Sequence, residues 1–299
     1  MSMFTVISTG YPELNRLEDR FISHSSATKE KIIELIETTR SIFNQVADFC
    51  DRHYSIDRMR FFRSERSLIA LGYAIYKHNF EHESTLDRQL AHWLYIAALA
   101  NQHNDMNRLK RDINTLRHTK AEAIYGKLIG SLNNGHLNWL LKYNGIKLKS
   151  KPKEELGDHD VKHSPNSHLF GCVYGLIRSK TALSFKDGTV IDGQAKLEVH
   201  HIYPRSTIRE MSGEINRWHS DIANLTFITS KDNNEISNSH MAYLNGVSED
   251  IKESHLIPRK QYGEATPSNY KVFLTERRSL IHTALTRMIE NLEAKAALI

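Results

Sequence analysis

The sequence predicts a mainly α protein with a small α+β module: an N-terminal helical bundle, a compact β, β, α unit and a C-terminal helix. Three observations carry that prediction. Apolar residues recur at three- and four-residue spacing through most of the first 142 positions. Two short β-type runs stand near positions 200 and 225, the second leading straight into a helix start. A further helical stripe runs from Phe273 toward the end. Helices and strands repeat with periods of 3.6 and 2, so the spacing of buried residues separates them.

From 28 to 54, Ile32, Ile33, Leu35, Ile36, Ile42, Phe43, Val46, Phe49 and Cys50 trace one face of an amphipathic helix. Similar spacing predicts helices over 64–78, 85–101, 106–116 and 121–142, a bundle of about five with short connections. Trp93 and Trp139 are assigned to its core, with base stacking as the alternative use of each ring. Lys147, Lys149, Lys151 and Lys153 then lead into a polar stretch, so the domain boundary is placed near 148, giving units 1–148 and 149–299 with a linker or surface loop over 149–166. Those lysines suit a solvated loop, and phosphate contact by charge is the alternative. An apolar run over 168–183 predicts a helix, and Asp187-Gly188 and Asp192-Gly193 are turn signals before the first strand. After a polar connection through Asn269, Leu280, Ile281, Ala284, Leu285, Met288, Ile289 and Leu292 keep helical spacing.

Whole-chain properties bound the function. A length of 299 residues allows two ordinary domains with real cores. The formal net charge of +5 and pI near 9.0 suit an anionic partner without specifying one. Cys50 and Cys172 are far apart, so neither a disulfide framework nor a zinc ribbon is expected, and a reducing cytoplasm fits. No basic-then-apolar leader is present, and no run approaches the ~20 apolar residues of a membrane span. The expectation is a cytoplasmic protein, neither exported nor membrane-embedded.

The chemistry concentrates in Glu198-Val199-His200-His201-Ile202-Tyr203-Pro204, with Asn224 and then Asn233 following. Adjacent histidines in a strand face opposite ways, so one can hold a metal while the other serves as a base. An isolated His-His pair is ordinarily structural; here the Pro, the Asn opening a β run and the second Asn nine residues on outweigh that. Ser230 is read as the N-cap of the next helix, which places Asn233 in a first turn where an amide oxygen can ligate a hard cation beside free N–H groups. Glu198 shares a strand face with His200, and Glu198, Arg205 and Lys231 are candidates for supporting a ligand or touching phosphate.

These residues resemble the HNH endonuclease superfamily, whose ββα-metal fold packs two antiparallel strands and a helix around one divalent ion. The resemblance implies His201 as general base, Asn224 as the tether that orients it, and His200 and Asn233 as metal ligands. Where some such nucleases add a histidine one turn after the helix ligand, this chain has Ser237; His240 is left out of the site as a polar helix surface. The twenty-two residues between His201 and Asn224 predict an inserted loop or short helix. One neutral nitrogen and one neutral oxygen ligand suit Mg²⁺ or Mn²⁺, without excluding Ni²⁺ or Zn²⁺.

The flanks narrow the resemblance. Ser67-Leu68-Ile69-Ala70-Leu71, the run from Leu90 to Leu99, His255-Leu256-Ile257-Pro258 and Phe273-Leu274-Thr275-Glu276-Arg277-Arg278 are similar to GmrSD-type restriction and phage-defence proteins. Such proteins usually begin with a ParB-like module bearing Asp-Gly-Gln-Gln-Arg; that signature and any P-loop are missing from this sequence. The implied function is a metal-dependent DNA endonuclease of prokaryotic defence or restriction, nicking one strand per site. Its helical domain would bind DNA or dock a partner, other subunits would supply gating, and the HNH effector of a Zorya-type system is one such setting. The alternatives are an HNH nuclease of a mobile element or of general DNA processing, RNA as substrate, and a nucleic-acid-binding adaptor with a degenerate site.

Overall fold

The structure is a computed structural model and describes residues 3–11, 29–56, 65–132, 169–191, 195, 197–211, 215, 218–236 and 243–298. It is mostly helical with a small two-stranded sheet. Trp139, the lysines at 147–153, the loop over 149–166, Asp192-Gly193, Ser237 and His240 lie outside the described residues. The chain divides into two compact units, Met1–Leu137 with Met288–Ile299, and Asn138–Arg287. The last residues of the C-terminal helix thus count with the first unit, where the sequence reading kept that helix whole in the second.

The first unit contains α1 (Met3–Thr9), α2 (Lys29–Tyr54), α3 (Glu65–His78), α4 (Thr85–Leu99), α5 (Met106–His118) and α6 (Ala121–Gly130). Helix α4 starts where Ser84 accepts the Asp87 N–H, and it is buried from Leu86 through Leu99 except at two positions, which makes it the central helix. Trp93 is fully buried in this core. Two buried carboxylates are satisfied. Asp112 accepts from Gln102, His103 and Ser131, and Asp87 is held well below the usual carboxylate range, to about 2, where hydrogen bonds and charge from His53 and Arg52 overcome its burial. Helix α1, absent from the sequence prediction, packs on α2 and α3. Gly72 makes room for it, since a Cβ there would stand 2.2 Å from Met3 Cε.

The second unit holds α7 (Leu169–Ser179), β1 (Leu197–His201), α8 (Arg205–Glu210), β2 (Leu225–Thr229), α9 (Ser230–Ile236), α10 (Tyr243–Gly246), α11 (Glu249–Ser254) and most of α12 (Pro267–Ala296). The strands pair antiparallel with His200 opposite Thr226 and His201 opposite Leu225. Tyr174 from α7 packs edge-on against Phe227. The Asp187-Gly188 turn forms as expected, with Gly188 at φ +67° and Leu183 bridged to Val190. The stretch between the strands contains the expected short helix, α8.

Several boundaries differ from the sequence reading: α6 ends at Gly130 where a helix to 142 was expected, α7 ends at Ser179 where one to 183 was expected, and the starts of α9 and α12 move. The N-cap of α9 is Thr229, whose hydroxyl oxygen accepts the Asp232 N–H at 3.0 Å while its O–H donates to Asp232 Oδ2 at 2.8 Å; Ser230 instead donates to Glu198. Helix α12 opens at Pro267, six residues before Phe273, because Thr266 caps it by accepting the Asn269 N–H and proline is at ease in the first helical position.

Candidate functional site

Strand β1 sorts its residues by face. Glu198 and His200 point toward α9, and His201 points the other way, as the two-residue period requires. His200 Nδ1 lies 3.0 Å from Asn233 Oδ1, and Asn233 Nδ2 donates to Glu198 Oε2 at 2.7 Å. Glu198 also accepts from Ser230, so this carboxylate fixes both the start of α9 and the amide of Asn233. The other ring nitrogen, His200 Nε2, is 3.2 Å from the Tyr243 hydroxyl, which donates to the Ile202 carbonyl at 3.0 Å. Burial lowers the His200 pKa, against the pull of Asn233 and Asp232, so the ring is held neutral.

Helix α9 is pinned from below. Buried Asp232 accepts from the Ser184 hydroxyl and the Lys186 N–H, tying the helix start to the Asp-Gly turn segment. Phe185 from that turn sits edge-on between His200 and His255. His255 donates to the Leu183 carbonyl at 2.8 Å and faces the Thr226 hydroxyl at 2.8 Å.

On the opposite face His201 lies nearly parallel to His219, with ring centroids 6.4 Å apart and planes 22° apart. Burial pushes His201 down to about 4, and the neighbouring His200, His219 and Arg205 add to the depression. Its Nε2 atom is buried with no hydrogen-bond partner among the described residues. Asn224 is fully buried and brackets the chain just after His201: Oδ1 accepts the Tyr203 N–H at 2.8 Å, while Nδ2 donates to the Tyr203 carbonyl at 3.1 Å and the His219 carbonyl at 2.9 Å. Its own carbonyl accepts the Ile202 N–H at 2.8 Å.

The loop carrying His219 and Asn224 is clamped by α12. Arg277, fully buried, donates to the carbonyls of Ile222, Ala223, Leu225, His255 and Leu256, and burial lowers its pKa to about 9. Arg278 pairs with buried Asp221, which caps the turn over Ile222–Asn224. Tyr270 donates to the Trp218 carbonyl at 2.8 Å.

The structure therefore brings His200, Asn233 and Glu198 into one cluster, with His201 and Asn224 on the far side of the strand. Arg205 acts on His201 through charge alone, and Lys231 is exposed on α9 with no hydrogen bond to the cluster. Tyr243, His219, Asp232 and Arg277 were not singled out from the sequence as parts of the site. The contacts that place Tyr243, Asp232 and Arg277 in the site reach across 41 to 55 residues and His219 meets His201 across 18, beyond what local spacing encodes. Among the described residues no group of three or more His, Cys, Asp or Glu side chains converges as a metal cage.

A two-stranded antiparallel sheet thus leads into a helix, with imidazole, amide and carboxylate gathered at the strand–helix junction. Residues 150–276 match the family described as GmrSD restriction endonucleases, C-terminal domain, which supports a GmrSD-like nuclease relationship for that part of the chain. The GmrSD relationship drawn from the sequence is thereby shown over those residues. No curated protein and no solved structure matches the chain. Among the described residues no helix is long and apolar enough to cross a membrane.

Proposed function

We propose that the second unit is a metal-dependent DNA endonuclease of the HNH, ββα-metal type, serving prokaryotic antiviral defence or restriction. The observation that carries this reading is the His200–Asn233 contact. With Asn233 Nδ2 committed to Glu198, the amide oxygen faces His200 Nδ1 at 3.0 Å, so two groups that can each offer a lone pair meet at one point. His200 and Asn233 would offer one nitrogen and one oxygen donor to a divalent ion such as Mg²⁺ or Mn²⁺. Two neutral ligands, with no acidic cage among the described residues, would suit an ion that keeps most of its waters and takes a phosphate oxygen.

His200 and Asn233 would hold the ion. The chemistry a bound divalent ion supplies there is Lewis-acid stabilisation of charge on the phosphate and the leaving 3′-oxygen. His201, neutral across the physiological range, is the ring that would accept the proton of the attacking water, which requires its buried Nε2 to become open to that water. Burial is the main cause of the low His201 pKa, and an anionic phosphate beside the ring would favour its protonated form and so raise its proton affinity. Asn224 and Arg277 keep the strand end and the loop behind it from shifting. Arg205 and Lys231, both exposed, meet the DNA backbone by charge.

One site acts on one strand, so the protein nicks, and a double-strand break needs two sites or two events. With supercoiled plasmid as substrate, open circles should precede linear DNA at every enzyme concentration; linear product appearing first would refute single-strand action. The sparse ligand set favours one second reading, an adaptor with a degenerate site. Binding of Mn²⁺ without cleavage of DNA or RNA would favour it.

A further inference from the structure

Asn233, His200, Tyr243 and Ile202 form a chain of three polar contacts: Asn233 Oδ1 to His200 Nδ1 at 3.0 Å, His200 Nε2 to the Tyr243 hydroxyl at 3.2 Å, and that hydroxyl to the Ile202 carbonyl at 3.0 Å. Each hydrogen bond needs one hydrogen. The Asn233 and Ile202 oxygens have none to give, a neutral imidazole brings one, and the tyrosine brings one. Three contacts therefore share two hydrogens. With a neutral ring the chain is one hydrogen short, a shortfall that either a protonated ring or a cation at Nδ1 would remove.

A divalent ion between His200 Nδ1 and Asn233 Oδ1 removes the shortfall in one way. It occupies the first contact, so the imidazole hydrogen must sit on Nε2 and donate to Tyr243, whose own hydrogen then points at Ile202. We propose that Tyr243 is the positioning residue that takes the His200 Nε2 hydrogen in the loaded site and so sets the tautomer that leaves Nδ1 free to ligate. The hydroxyl does more than hold a ring. By donating to Ile202, the residue after His201, it ties the ligand histidine to the strand end that carries the base. Glu198 performs the matching task on Asn233 by occupying the amide nitrogen and turning the oxygen inward. Tyr243 suits this role because its hydroxyl already donates to the Ile202 carbonyl, which leaves it an acceptor toward His200 Nε2. The proposal rests on the metal-binding reading of His200 and Asn233.

The test uses the full-length chain, wild type and Tyr243→Phe, with Mn²⁺ affinity read by calorimetry and the His200 tautomer read by ¹⁵N NMR in Mg²⁺. The expected results are a loss of Mn²⁺ affinity of about 10- to 100-fold in Tyr243→Phe, the usual effect of removing a partner of a metal-bound histidine, and hydrogen on Nε2 in loaded wild type. Equal Mn²⁺ affinity in the two proteins overturns the role of Tyr243 alone. Wild type that takes up neither ion overturns the metal reading and this proposal with it. Should Tyr243→Phe fail to fold, the wild-type spectrum decides, because hydrogen on Nδ1 in the loaded protein contradicts the proposal by itself.

Discussion

Replacing Asn224 with alanine removes three hydrogen bonds and leaves three backbone groups without them: the Tyr203 N–H, the Tyr203 carbonyl and the His219 carbonyl. Tyr203 is buried, so its two orphaned groups cost about 1–3 kcal/mol each. His219 is half-exposed and its carbonyl recovers water, so it adds little. The expected loss is about 4 kcal/mol, a large share of the about 5–15 kcal/mol that stabilises a typical domain. With a urea slope of about 2 kcal/mol/M, the unfolding midpoint should fall by about 2 M. Tryptophan fluorescence reports this transition through Trp218, next to His219 in the same loop. Asn224→Asp should lose nearly as much, since it keeps an acceptor for the Tyr203 N–H but sets a carboxylate against two carbonyls. Where either variant stays folded, cleavage should slow about 100-fold, because the strand end carrying His201 loses its tether. A midpoint shift below about 0.3 M with unchanged turnover would show that the bracket holds nothing in place.

Arg277→Lys keeps the charge and forfeits the planar fork that reaches five carbonyls, so thermal unfolding should shift down by several degrees, and an unchanged melting temperature would contradict the clamp. His255 gives a pH dependence. Burial pushes it down to about 4 from an ordinary 6.5, so between those values the unfolded chain binds more protons and stability falls as pH falls. The contribution, present above pH 6.5, amounts to about 3 kcal/mol lost by pH 4; denaturation at pH 7 and pH 5 should show the drop, and His255→Gln should make it shallower while leaving the share of His201, which burial also holds down to about 4. Arg205→Ala and Lys231→Ala should each weaken DNA binding without changing sequence preference and reduce the salt slope by about 1, which affinity measured across a salt series would check.

Much of this architecture is legible in the sequence because its long elements are periodic. Helix α2 ends at Tyr54, where its apolar spacing ends, and the two strands fall within the β-type runs. The spacing of His200, His201, Asn224 and Asn233 marks the residues that the fold gathers around one strand end. What escaped the sequence depends on fine capping chemistry or on distant contacts. Thr229 and Ser230 are both competent caps, and only the position of Glu198 assigns one to the helix and the other to the carboxylate. Helix α1 has seven residues, too few to show a period, and it forms because Gly72 admits Met3. Arg277 reads in sequence as a surface cation beside an apolar stripe, yet it is fully buried because five carbonyls face it. Tyr243 carries no local signal, since its partners lie on β1 and just beyond it.

The most direct test is cleavage of supercoiled plasmid by the full-length protein in EDTA, Mg²⁺, Mn²⁺ or Ni²⁺, with His201→Ala beside it at matched concentration. Nicking should require a divalent ion and fall by at least about 100-fold in His201→Ala while Mn²⁺ affinity stays unchanged, since a general base contributes about 10²- to 10⁴-fold. Nicking that survives in EDTA, or that His201→Ala performs as fast as wild type, would contradict the proposed mechanism.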